Sequence, residues 1–183
     1  LQLIWVGHAV EAAPAVRYWD PPAWSAMIPL LAMPLALLLL VCGFTQNNPT
    51  ATLASGRLAR REVTGILAVT RNPVMWGLGL WSLSHLAVVA EVAEALRYVA
   101  FAGLALLFLP RIEAKQRAKW GAAAWADFTA RSSNIPFVAM ARGRARLRWC
   151  EIGWARLAAV IVLYVAILLW LHPMIADVPA WGG

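Results

Sequence analysis

The stretch Ala26-Met-Ile-Pro-Leu-Leu-Ala-Met-Pro-Leu-Ala-Leu-Leu-Leu-Leu-Val-Cys-Gly-Phe44 runs for nineteen residues without a charge. A bilayer core about 30 Å thick takes about 20 mostly apolar residues in a helix. The run therefore predicts a membrane-crossing helix, kinked at Pro29 and Pro34 where neighbouring helices tolerate the break. The composition agrees with it. Of 183 residues 62% are apolar and 14% charged, and the mean hydropathy is +0.66, whereas a soluble domain holds about 45–50% apolar and about 25% charged residues. These figures exclude an ordinary water-soluble globule, and a disordered chain with them.

Other runs repeat the pattern. Val74–Ala90 gives 17 uncharged residues, Leu157–Ala176 gives 20, and Tyr98–Pro110 gives 13. The last spans if its helix begins near Glu91 and the stem of Arg97 snorkels outward. Leu1–Val10 is apolar from the first residue, has no basic leader of the signal-peptide kind, and reads as the end of a helix whose start is missing. The sequence thus predicts an all-α, multi-pass transmembrane bundle of about five helices, the first incomplete, forming one domain over residues 1–183.

The loops set the orientation. With segments 11–25, 91–97 and 177–183 on one side, loops 45–73 and 111–156 fall on the other and hold fourteen of the sixteen Lys and Arg with four of the nine acids, a net +10. The opposite side holds Arg17, Arg97 and five acids, a net −3. By the positive-inside rule the basic loops are cytoplasmic and the C-terminus is on the outer side. The overall +7 charge is therefore a topology signal directed at the lipid bilayer, and no nucleic-acid partner is expected. The basic run Arg142–Arg148 sits just before a membrane helix, where anionic head groups attract it. Residues 111–130 combine Arg111, Lys115 and Lys119 with Trp120, Trp125 and Phe128, which predicts an interfacial helix on the cytoplasmic face. Cys42 and Cys150 match no zinc spacing and read as small apolar fillers.

Three histidines are the candidates for chemistry, since G-x-S-x-G, H-E-x-x-H and phosphate loops are all missing from the sequence. His8, His85 and His172 all fall in the half of the predicted bundle away from the basic loops. An imidazole in hydrocarbon is costly without a partner, and neutral imidazole is the usual axial ligand of haem iron. His85 lies deepest, about 17 Å from the basic end at 1.5 Å per residue. Its bland alternative is a histidine hydrogen-bonded to a neighbouring helix; for His8 and His172, closer to water, that alternative carries at least equal weight. Around His85, Trp81 and Ser82 lie one turn earlier, Ser82 or Ser84 is placed to orient the ring, and Gly77 and Gly79 allow close approach of a flat ring or a helix. Arg17 and Arg97 are the outer-side cations available to haem propionates.

Several segments resemble the NnrU family of membrane proteins, which includes the plastid zeta-carotene isomerase. The resemblance runs through Trp19-Asp-Pro-Pro-Ala-Trp24, Thr70-Arg-Asn-Pro-Val-Met-Trp76, Leu80-Trp-Ser-Leu-Ser-His-Leu86, Ser132-Ser-Asn-Ile-Pro-Phe137 and Leu171-His-Pro173. It implies a bacterial inner-membrane protein with haem b, His85 as axial iron ligand, and a role in respiratory or denitrification redox, assembly or sensing. The isomerase branch implies a ferrous haem acting on a polyene. The family pattern has a second histidine thirteen positions before His85, where this chain has Asn72. Its other haem ligand lies in the family's first helix; either that helix is left out of this sequence, or His8 or His172 substitutes for its ligand, or the iron is five-coordinate. A second resemblance, through Arg71-Asn-Pro-Val-Met-Trp-Gly77, Glu113, Gly121, Trp125 and Phe128, is to isoprenylcysteine carboxyl methyltransferases and phospholipid methyltransferases. It implies S-adenosylmethionine at the cytoplasmic face. Here Trp76 stands for the pattern's Tyr and Glu113 lacks an acidic neighbour. The third alternative is a cofactor-free structural subunit of a larger respiratory or other membrane complex.

Overall fold

The computed structural model describes residues 10, 12–46 and 62–176; His8, most of the Leu1–Val10 run and most of the polar loop after Thr45 lie outside the described residues. Among the described residues six principal helices follow one another: α1 (Met27–Thr45), α2 (Pro73–His85), α3 (Val92–Leu107), α4 (Leu109–Trp120), α5 (Ala122–Arg131) and α6 (Trp154–Ala166). A tight turn, Ala23–Ala26, leads into α1, and single helical turns form at Gly65–Ala68, Val138–Ala141 and Trp149–Ile152. Beyond α6 the chain widens into a π-helical turn at Ile167–Leu171 and closes as His172–Ala176. Pro173 has no N–H for the carbonyl of Leu169 and its ring crowds that oxygen, which places the wide turn there. Among the described residues extended pairing is limited to one antiparallel bridge, Arg17 with Glu91.

Among the described residues three stretches are long and apolar enough to cross a membrane: Ala23–Thr45, Val92–Trp120 and Trp154–Met174. The run expected to span from Val74 to Ala90 does not do so as one helix. Helix α2 stops at His85 after 13 residues, about 20 Å at 1.5 Å per residue. The segment after it turns away: Tyr18 N–H donates to the Ala90 carbonyl at 3.0 Å and Val92 N–H to the Val16 carbonyl at 2.9 Å. Tyr18 Oη and Trp19 Nε1 also donate to the Val89 carbonyl, at 3.0 and 2.8 Å. The residues are apolar enough for a helix, but their backbone groups find partners in the segment before α1.

Helix α2 is the middle layer, between α1 and α3, and it fits because its contact positions are small. A Cβ on Gly77 would lie 2.8 Å from Leu40 Cγ and 3.0 Å from the Ala36 carbonyl oxygen, and one on Gly79 would lie 3.1 Å from Leu106 Cδ2. The two glycines thus admit helices rather than a flat ring, the close approach typical of small residues between membrane helices. At the basic end Leu39, Cys42, Ile66, Val69 and Ile152 form a buried apolar cluster. Gln46 Oε1 accepts from Ile66 N–H and Glu151 Oε2 from Gly65 N–H, so the turn Gly65–Ala68 is fixed to α1 and to Trp149–Ile152.

The single amphipathic helix expected over residues 111–130 is two helices. Gly121, at φ +83°, breaks the run between α4 and α5, a conformation that costs glycine little. Trp120, Trp125 and Phe128 then turn inward: Trp120 meets Trp125 and Phe128 edge to face with ring centres 5.4 Å apart, and Trp125 and Phe128 pack tilted at 5.8 Å.

Candidate functional site

His85 is the last residue of α2. Its Nδ1 lies 2.8 Å from the Trp81 carbonyl oxygen. A carbonyl can only accept, so Nδ1 carries the proton and the Nε2 lone pair is left available, the tautomer in which a metal-binding histidine is usually held. Ser84 Oγ donates to the same carbonyl at 2.9 Å and approaches Nδ1 at 3.4 Å. The serine that serves the imidazole is therefore Ser84. Ser82 is fully buried elsewhere on the helix, and its Oγ has no hydrogen-bond partner among the described residues.

Aromatic rings surround the imidazole. Tyr98 of α3 stacks on it with centroids 5.3 Å apart and planes 24° from parallel, and the Trp81 ring lies 5.6 Å away. Trp81 in turn meets Tyr98 and Phe101 edge on, at 5.3 and 5.6 Å. Arg97 holds its guanidinium 5.2 Å above the Tyr98 ring and pairs with Glu94 at 3.4 Å. His172 and Arg97 both lie within electrostatic reach of His85. Four residues singled out from sequence, His85, Trp81, Arg97 and His172, therefore gather at one end of the bundle. Arg17 does not join them through its side chain, which is exposed and bonded to Asp20, although its backbone bridges Glu91 beside the site. Sequence reading did not name Tyr98 or Phe101; their signal was a place one helical turn or less from Arg97.

A second polar cluster forms at the opposite end of α2. Glu113 of α4 receives Arg71 at both oxygens, Nε to Oε1 at 2.7 Å and Nη2 to Oε2 at 3.1 Å. The Asn72 side-chain amide donates to Glu113 Oε1 at 2.8 Å and to Asn134 Oδ1 at 3.0 Å. Trp76 Nε1 reaches the same Asn134 oxygen at 3.3 Å. Backbone pairing seals the junction: Arg71 N–H donates to the Ser133 carbonyl at 2.8 Å and Phe137 N–H to the Val69 carbonyl at 2.9 Å. Asn72 occupies the cap position of α2 with Pro73 beginning the helix, but its side chain makes no capping bond. It is 1% exposed, and its Oδ1 has no partner among the described residues. Beside the cluster, α4 and α5 enclose an open groove of about 660 Å³ that Glu113, Arg117 and Trp125 line.

Positions 72 and 85 thus mark opposite ends of one helix, about 20 Å apart by its rise. Side chains there cannot ligate one iron atom, so the Asn at 72 leaves the His85 site untouched. No curated protein and no solved structure matches the chain. The NnrU protein family model matches residues 1–180. With its all-helical architecture and membrane-length helices, the chain belongs to the NnrU family.

Proposed function

We propose that this is an integral membrane protein that binds haem b, with His85 Nε2 as an iron ligand, and acts in respiratory or denitrification redox, assembly or sensing. The observation that carries the reading is the Nδ1–H bond of His85 to the Trp81 carbonyl, which fixes the ring and leaves Nε2 as a donor. The residues fit the group in other respects. Trp81, Tyr98 and Phe101 form an apolar aromatic wall suited to a macrocycle, and Arg97 supplies a cation for a propionate. We assign the second imidazole to His172, which lies within electrostatic reach of His85. Haem supplies one-electron redox chemistry and gas-ligand binding when bound. The chain's own residues would hold the imidazole in one tautomer, surround it with aromatic rings and bring the Arg97 guanidinium beside them. Pyridine haemochrome analysis of the purified full-length chain tests this. Haem b retained by wild type and lost in His85→Ala supports it; an equal haem content in both overturns it.

One observation favours a second reading. Arg71, Asn72, Glu113 and Trp125, distant in sequence, converge at the basic end beside a groove of about 660 Å³. On this reading the groove takes S-adenosylmethionine. Colourless protein that binds S-adenosylmethionine supports the methyltransferase; colourless protein that binds neither and co-purifies with a larger complex supports a structural subunit.

A further inference from the structure

We propose that the groove between α4 and α5 is a binding site for an anionic phospholipid, with Arg117 holding the phosphate and Trp125 forming the wall beside it. The charges of the lining point to an anion. Glu113 is the acid there, and both of its oxygens are engaged by Arg71 and Asn72. Arg117 is the cation of the lining, exposed and without an ion pair among the described residues. Arg111, Lys115 and Lys119 stand exposed on the same helix, so α4 presents four cations and one neutralised carboxylate. A phosphate satisfies an unpaired guanidinium with charge-assisted hydrogen bonds.

The groove's level along the helix points to a membrane lipid. Val92–Trp120 is one of the stretches long and apolar enough to cross a bilayer. Its exposed face is apolar through Leu104, Leu107 and Phe108, at 54%, 77% and 41% exposure, and turns basic at Arg111. The groove opens at this change, beginning at Pro110. That is the level at which head-group phosphates meet a membrane helix, with Trp at the interface and acyl chains beside the apolar face. The floor is Ala114, Ala118 and Gly121, and a Cβ on Gly121 would meet nothing within 4 Å, so the room comes from small side chains.

Native mass spectrometry of the full-length chain extracted from mixed phosphatidylcholine–phosphatidylglycerol vesicles tests the proposal. Wild type is expected to retain phosphatidylglycerol in preference to phosphatidylcholine by about five- to tenfold, as one charge-assisted contact supplies. Arg117→Gln should abolish the preference and Arg117→Lys keep part of it. Ala118→Trp, which fills the groove without changing charge, should also abolish it, while Lys119→Gln outside the lining should not. Equal retention of the two lipids overturns the proposal, as does a preference unchanged in both Arg117→Gln and Ala118→Trp. Displacement of the lipid by inorganic phosphate alone or by S-adenosylmethionine overturns it as well, by assigning the groove to a soluble ligand. The haem content of these variants stays at the wild-type value whichever lipid result is obtained.

Discussion

Replacing Glu113 by Gln removes one charge and almost no volume from the polar cluster at the basic end. Arg71 then keeps its guanidinium beside a neutral amide, with side chains that were 14% and 19% exposed as a pair. Breaking a fully buried pair by neutralising one partner costs about 3–5 kcal/mol, and the residual exposure brings the expectation to about 2–3 kcal/mol. The amide nitrogen also has to face either Arg71 or the Asn72 amide, both donors at 2.7–3.1 Å. Asn72 has a second acceptor in Asn134, so the loss falls mainly on Arg71. Thermal unfolding in a fixed detergent, followed by circular dichroism, measures this. At about 2–4 °C per kcal/mol for a chain of this size, Glu113→Gln is expected to lower Tm by about 4–12 °C. The cycle with Arg71→Gln should return a coupling of about 2 kcal/mol, because in the double variant no guanidinium faces a neutral amide in place of the carboxylate. A shift no larger than that of the exposed control Lys119→Gln, or additive single effects, would refute the reasoning.

Other expectations follow from the same geometry. Gly77→Val drives a branched side chain into Leu40 and the Ala36 carbonyl and should cost about 1–3 kcal/mol, whereas Gly103→Ala, whose nearest neighbour is Leu107 Cδ1 at 3.8 Å, should be neutral or stabilising by up to about 1 kcal/mol; detergent melts of the two compare them. Asn134→Ala leaves one Asn72 donor and the Trp76 Nε1 without their acceptor and should cost about 1–3 kcal/mol, read as a lower Tm with an unchanged haem spectrum. Tyr98→Ala removes the ring stacked on His85. It should weaken haem retention by about three- to tenfold, as the loss of one aromatic contact implies, measured by haem transfer to a haem-accepting protein.

The parts of the fold legible in the sequence were those that depend on length and charge. Helices α1 and α6 follow from uncharged runs. Periodicity could not show where α2 ends, because Leu86–Ala90 is as apolar as the helix before it and its fate is decided by hydrogen bonds to residues 16–18. The break at Gly121 was hidden for a similar reason: a glycine between two amphipathic stretches does not announce a positive φ. At the His85 site the histidine, Trp81 and Arg97 stand out by residue type and depth, while Tyr98 joins them only through the packing of α3 on α2. The basic-end cluster was visible as two separate motifs. Nothing in the chain order says that Asn134 meets Asn72, since the contact depends on the backbone pairing of 69–71 with 133–137.

The most direct measurement is the dithionite-reduced minus oxidised absorption spectrum of the purified full-length protein beside His85→Ala. Haem b held by His85 gives b-type bands in the wild type that are lost or shifted in the variant, with both proteins equally helical. A wild-type spectrum without haem bands, or identical bands from the variant, contradicts it.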